Sequence, residues 1–243
     1  MKGQLARVKR GIRIAQDLAA VSVRRDIRAV RRLNNGEERA RQAALAWVTD
    51  TIGRPDPNLG RAGALCPCTP PALRSKAVTV AVYPDAIEMS VEVLRRVVLR
   101  EGLGHRRQID RSVGQWELQT HLVVFPRGGP GDATLFERAW EGCLEPLNER
   151  ETMVAVAYPG CIRPALSSPN VFPFDAPVTL FVIRPMTLRD VVFISNQGGM
   201  RTYRKLFGAR YATGAISGES DLATAYRVKL RQYGLDSSSG ASA

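Results

Sequence analysis

The sequence predicts an α+β fold: a single mixed or antiparallel sheet of about four to five strands with helices packed on it, preceded by an N-terminal helical extension. Three observations carry this expectation. Short β-branched runs, AVTVAVY, QTHLVVF, TMVAVAY and TLFVIR, stop at prolines or glycine-rich turns. Around them, apolar residues recur every three or four positions, the period of a helix with one buried face. Charge is also uneven: residues 1–41 hold 12 Arg/Lys against 4 Asp/Glu, a net of +8 in a chain of 243 residues and +12 overall. The expected boundaries are a basic helical extension over 1–55, a main α/β domain over 56–235 and a disordered tail over 236–243.

In chain order, residues 2–33 read as a helix on the spacing of Leu5, Val8, Ile12, Ala15, Ala19 and Val23, thickened by Arg24, Arg25, Arg28, Arg31 and Arg32. Asn34-Asn35-Gly36 stops it. A second helix over 37–52 carries Ala40, Ala44, Trp47 and Val48, and Gly53 and Pro55 end it. The Pro/Gly-rich stretch 53–75 reads as a structured loop or linker. Strands are expected over 77–83, 116–125, 152–158 and 177–184. Helices are expected over 85–103, stopped by Gly102 or Gly104, and after Asp132 or Thr134 through Leu147. Residues 190–195 fit either a strand or a helix start. Asn196 to Gly199 read as a tight turn, 200–208 as one or two helical turns, and 219–232 as a final helix.

Several function classes lose support. The longest apolar runs fall well short of the roughly 18 residues that cross a bilayer. The basic N-terminus lacks the apolar stretch and cleavage site of a secretory signal, so a cytoplasmic location is expected. Neither GxGxxG nor a Gly-Lys-Ser/Thr phosphate loop occurs, so no dinucleotide or nucleoside triphosphate is implied, and the sequence names no cofactor. Four cysteines are present, Cys66, Cys68, Cys143 and Cys161. Reduced thiols are expected, and the single residue between Cys66 and Cys68 is tighter than zinc-knuckle spacing, so no metal is expected.

The candidate residues are those whose chemistry a site would need. The loop GALCPCTPPAL is stiff and holds two thiols, which makes Cys66 a candidate nucleophile; such a thiol needs a neighbouring base or positive charge. His121 lies in a strand whose alternation groups Glu117, Gln119 and His121 on one face, a row suited to acid–base work. His105 reads as a surface histidine. Arg184 follows an apolar strand, and with Arg163 it is a candidate clamp for a substrate carboxylate or phosphate. Asp190 completes the catalytic candidates Cys66, His121 and Asp190; the competing reading of Arg184 is an internal pair with an aspartate that fixes the loop. Glu137, Glu141 and Glu145 read as an exposed helix face.

Taken together, LCPCTPPAL, VIRPMTLRD and YRKLFG resemble a bacterial family common in actinomycetes and known as a domain of unknown function. Its members carry a CP-x-x-PP element, matched here by Cys66, Pro67, Pro70 and Pro71, and an IRxM-x-x-x-D element, matched by Arg184, Met186 and Asp190. Cys68 stands where the family more often has an aromatic residue, and Pro159-Gly160 stands where a histidine-proline step is common. The resemblance implies no reaction; some members look like accessory proteins of small-molecule biosynthesis. Three function classes follow. The first is a small-molecule enzyme or ligand-binding accessory protein in bacterial specialised metabolism, and it requires the candidate residues to converge on one pocket. The second is a non-enzymatic module that forms a homodimer or binds a protein partner through residues 1–52. The third binds nucleic acid through the N-terminal arginines.

Overall fold

The computed structural model describes residues 34–84, 90–109, 116–216 and 220–236. The predicted helix over 2–33, its arginine cluster and residues 237–243 of the predicted tail lie outside the described residues. From Gly36 onward the chain forms one compact unit. Its centre is a four-stranded mixed sheet in the order β1-β2-β4-β3, with β1 Val78–Val82, β2 Thr120–Phe125, β3 Thr152–Ala157 and β4 Thr179–Pro185. β1 runs parallel to β2, whereas β4 is antiparallel to both β2 and β3. The α+β architecture with one mixed sheet is therefore the observed one.

Among the described residues six helices surround the sheet: α1 Asn35–Trp47, α2 Thr69–Arg74, α3 Val91–Gln108, α4 Ala133–Asn148, α5 Gln197–Ala212 and α6 Ser220–Gln232. The two central strands, β2 and β4, carry unbroken apolar runs, Leu122–Phe125 and Leu180–Ile183, because both of their faces are covered there. On one face Val123, Phe125, Phe181 and Ile183 pack with Leu94 and Val98 of α3 and Phe136, Cys143 and Leu147 of α4. On the other face Leu122, Val124 and Leu180 meet Ala40, Ala44, Trp47 and Val48 from α1 and the turn after it. The Trp47 indole N–H also donates to the carbonyl of Asp175 at 3.1 Å. A third cluster joins α5 and α6 to the sheet through Met153 and Met186.

Several elements differ from expectation for local reasons. The second predicted helix ends as α-helix at Trp47 and continues as a wide turn over Val48–Ile52; a Cβ at Gly53 would lie 2.9 Å from the carbonyl of Thr49. The loop 53–75 contains α2, because Pro70 and Pro71 occupy the first helical turn, where their missing N–H groups have no intrahelical role. α3 is capped by Ser90 and runs through both predicted stops, Gly102 and Gly104, to Gln108. The stretch 116–118 is a single 3-10 turn, so β2 begins only at Thr120. Of the two readings of residues 190–195, a strand or a helix start, the chain takes the helical one, as a 3-10 turn over Leu188–Val192. Asn196 caps α5 instead of opening a free turn: its side-chain oxygen accepts from the Gly199 N–H at 2.6 Å. α4 tolerates Pro146 because the Gly142 carbonyl, which loses its helical donor, accepts from the Arg95 guanidinium at 3.2 Å.

Candidate functional site

The five sequence candidates fall into three places. Cys66, Arg184 and Asp190 come together; His121 and Arg163 lie elsewhere. Arg184 sits near the end of β4 opposite Met153, on the sheet face that also carries Leu180 and Val182. Asp190, 1% exposed, receives both arms of its guanidinium, at 2.5 and 2.7 Å. The same carboxylate accepts from the Thr187 N–H at 2.6 Å and its hydroxyl at 3.0 Å, so the aspartate caps the 3-10 turn 188–192 while fixing the arginine. Arg184 also donates to the carbonyl of Pro185 at 3.0 Å. Its fork is filled from within the chain, the internal pairing that sequence reasoning had set against a substrate clamp.

The fixed guanidinium is near enough to the thiols to act on both by its charge. The loop holding them is pinned by backbone bonds from Cys66 N–H to Ile52 and from Leu65 N–H to Arg54, at 3.0 and 2.9 Å. Cys68 directly precedes α2, two residues from Cys66, and both thiols are half-buried. The neighbouring Cys68 thiol, then Thr69, and the positive charge of Arg184 outweigh burial and bring the Cys66 thiol down to about 5. Cys68 moves the other way: the neighbouring Cys66 sulfur, burial and the adjacent negative charge hold it in the neutral thiol form. Arg184 is held charged, since the attraction of Asp190 outweighs its burial. The arrangement is two half-buried thiols, one lowered and one raised, near an arginine that Asp190 holds in place. It is equipped for nucleophilic attack by sulfur.

Arg163 lies beyond the far end of β3. Its guanidinium meets the Glu137 carboxylate at 2.5 and 2.6 Å and covers the Trp140 ring at 4.4 Å. Tyr158 donates to Glu137 as well, at 2.9 Å. Glu137 is therefore half-buried and engaged, unlike the exposed Glu141 and Glu145 that share its helix. His121 is on the opposite sheet face from Arg184, as its register partner Ile183 shows. It bonds Thr79 and Glu101, at 2.8 and 3.1 Å. His105 is buried rather than on the surface; its ring stacks on His121 at 5.5 Å, and burial pulls its pKa down. The row of Glu117, Gln119 and His121 dissolves because Glu117 belongs to the 3-10 turn.

A family model described as a domain of unknown function, DUF6875, matches residues 41–217. The chain belongs to this family. No curated protein and no solved structure matches it. Both of the elements that carried the resemblance, residues 66–71 and 183–190, lie inside the DUF6875 match, and in space they meet at the Cys66–Arg184–Asp190 cluster. α6 begins at Ser220, beyond the match. No helix among the described residues is long and apolar enough to cross a membrane.

Sequence reasoning passed over three residues that the structure brings into play. Cys68 stands where the resemblance more often has an aromatic residue, yet it is the group that lowers Cys66 most. Glu101 carried a readable signal: Leu94, Val98, Glu101 and His105 follow the spacing of the buried face of α3, and all four are buried. Thr79 had none, because its pairing with His121 is a matter of register between strands 42 residues apart.

Proposed function

We propose that this DUF6875 protein is a small-molecule enzyme whose reacting group is the Cys66 thiolate. The observation that supports the reading most is the meeting of two distant segments: Cys66 and Cys68 from the 66–71 element, and an Arg184 locked by Asp190 from the 183–190 element. A structural cysteine gains nothing from a fixed guanidinium and a neighbouring second thiol, whereas a nucleophile is activated by both. In the proposed step the Cys66 sulfur forms a bond to an electrophilic carbon of the substrate. The leaving group departs with the electrons of the bond that breaks, and Cys68 supplies its proton. Asp190 acts through Arg184 and is a positioning residue; Arg184 holds charge beside the sulfur rather than gripping substrate.

The test is competitive labelling of the full chain with a limiting amount of iodoacetamide at pH 6, followed by peptide mapping. Cys66 is expected to take the label ahead of the other three cysteines, and Cys66→Ser is expected to leave them nearly unlabelled. Equal labelling of Cys66 and Cys68, or labelling that spares Cys66, would remove the nucleophile from the proposal.

A further inference from the structure

We propose that Thr79, His121 and Glu101 form a second nucleophilic centre, on the opposite face of the sheet from the thiols, that accepts an acyl group from a small ester or thioester. The Thr79 hydroxyl lies 2.8 Å from His121 Nδ1, and His121 Nε2 lies 3.1 Å from a Glu101 carboxylate oxygen. A hydroxyl within reach of an imidazole, itself oriented by a third group, is the arrangement that activates oxygen nucleophiles on unrelated folds.

The surroundings of Glu101 decide the direction of the relay. Its carboxylate accepts from the Tyr83 hydroxyl at 2.5 Å and from Arg100 at 3.3 Å, and Arg100 also bonds Tyr83. Burial alone would push this carboxyl up, but bonds from His121 and Tyr83 outweigh it and leave Glu101 ionised, with a pKa of about 2. An ionised carboxylate only accepts, so Nε2 of His121 carries a proton, and in the neutral ring Nδ1 then presents a lone pair. That lone pair faces the Thr79 hydroxyl, whose alternative acceptor, the Thr120 carbonyl, is farther away at 3.4 Å.

Exposure grades in the order such a centre needs. Thr79 is exposed on β1, an edge strand of the sheet; the His121 side chain is 13% exposed and that of Glu101 6%. The nucleophile is thus accessible while the group that orients its base is sheltered. The β1 backbone adds donors. Ala77 and Tyr83 bond toward β2, so in a parallel ladder the alternate residues Val78, Val80 and Val82 turn their N–H groups away from β2. The Thr79 oxygen would bond the acyl carbon as its proton passes to His121 Nδ1. The bond to the leaving group breaks, and that group takes the bonding electrons and the proton from the imidazolium. Water, activated by the same base, then releases the acid and restores the hydroxyl. Glu101, Tyr83 and Arg100 are positioning residues in this scheme.

The experiment is acylation of the full chain by p-nitrophenyl acetate, with the acetyl group located by peptide mapping so that thiol and lysine products are counted separately. An acetyl group on Thr79 is expected in samples quenched with acid during turnover, before water releases it. Thr79→Val, equal in shape and suited to a strand, is expected to remove it, and Thr79→Ser to retain it. His121→Gln is expected to slow it by about 100-fold or more, the usual contribution of a general base. Glu101→Gln is expected to slow it and to move the acid limb of its pH profile to lower pH, which a packing role would leave in place. No acetyl on Thr79 of the parent chain, or an unchanged rate in a folded His121→Gln variant, would overturn the proposal. Should His121→Gln fail to fold, the Thr79→Val and Thr79→Ser pair decides it alone: equal labelling of that segment in both contradicts the assignment.

Discussion

Replacing Arg184 and Asp190 singly and together measures the clamp beneath the thiol centre. Asp190 is 1% exposed and accepts four hydrogen bonds, two from Arg184 and two from Thr187. Arg184→Met leaves that carboxylate buried with half of its partners. Asp190→Leu leaves a guanidinium, 23% exposed, without its counter-charge and also uncaps the 188–192 turn. Removing one partner of a buried pair typically costs about 3–5 kcal/mol, whereas replacing both by apolar residues of similar size is often close to neutral. Each single variant is therefore expected to lose about 3–5 kcal/mol, with Asp190→Leu the worse of the two because the Thr187 bonds go as well. The double variant is expected to lose less than the two single losses added together, the difference being a coupling energy of about 2–3 kcal/mol. Urea unfolding followed by tryptophan fluorescence reads all four proteins. Single losses that add to within about 0.5 kcal/mol would show that the two groups do not act as a pair and would refute the clamp.

Three further outcomes follow from the geometry. Cys68→Ala removes the strongest influence on Cys66 and is expected to raise the pH at which Cys66 becomes reactive, by iodoacetamide kinetics. Glu101 is lowered in the folded chain from 4.5 to about 2, so its contribution to stability is present above pH 4.5 and is lost as the pH falls toward 2; Glu101→Gln is expected to flatten the unfolding free energy across that window in acid titration. Gly102→Ala places a methyl 2.7 Å from Leu147 at the α3–α4 contact. Overpacking of about 1–3 kcal/mol then exceeds the roughly 1 kcal/mol that alanine gains in helix propensity, and the melting temperature is expected to fall.

Much of the fold was legible because local pattern and burial agree. The strands β3 and β4 are apolar runs bounded by turn residues, and the amphipathic spacing of α3 and α4 matches the faces they bury. The misreadings arose where tertiary context overrides a local rule. Gly102 reads as a helix stop, yet it is the residue that lets α3 approach Leu147. Pro70 and Pro71 read as loop formers, yet the first turn of a helix accepts them. At the candidate site, Cys66, Arg184 and Asp190 could be nominated by residue type. Their meeting across 118 residues could not be read from spacing, and neither could the separation of His121 and Arg163 from them. Alternation assigns a face within one strand, but which helices cover that face is settled by packing; this is why His121 and Arg184 were grouped and are found on opposite sides of the sheet.

The central claim is that Cys66 is a thiolate held by Cys68 and the Arg184–Asp190 pair. The rate of Cys66 alkylation by iodoacetamide, measured from pH 4 to 10 with the site confirmed by peptide mapping, tests it most directly. A half-maximal rate near pH 5 is predicted, the value at which the folded chain releases the Cys66 proton. A half-maximal rate near 9, where a thiol titrates without such partners, would contradict the account.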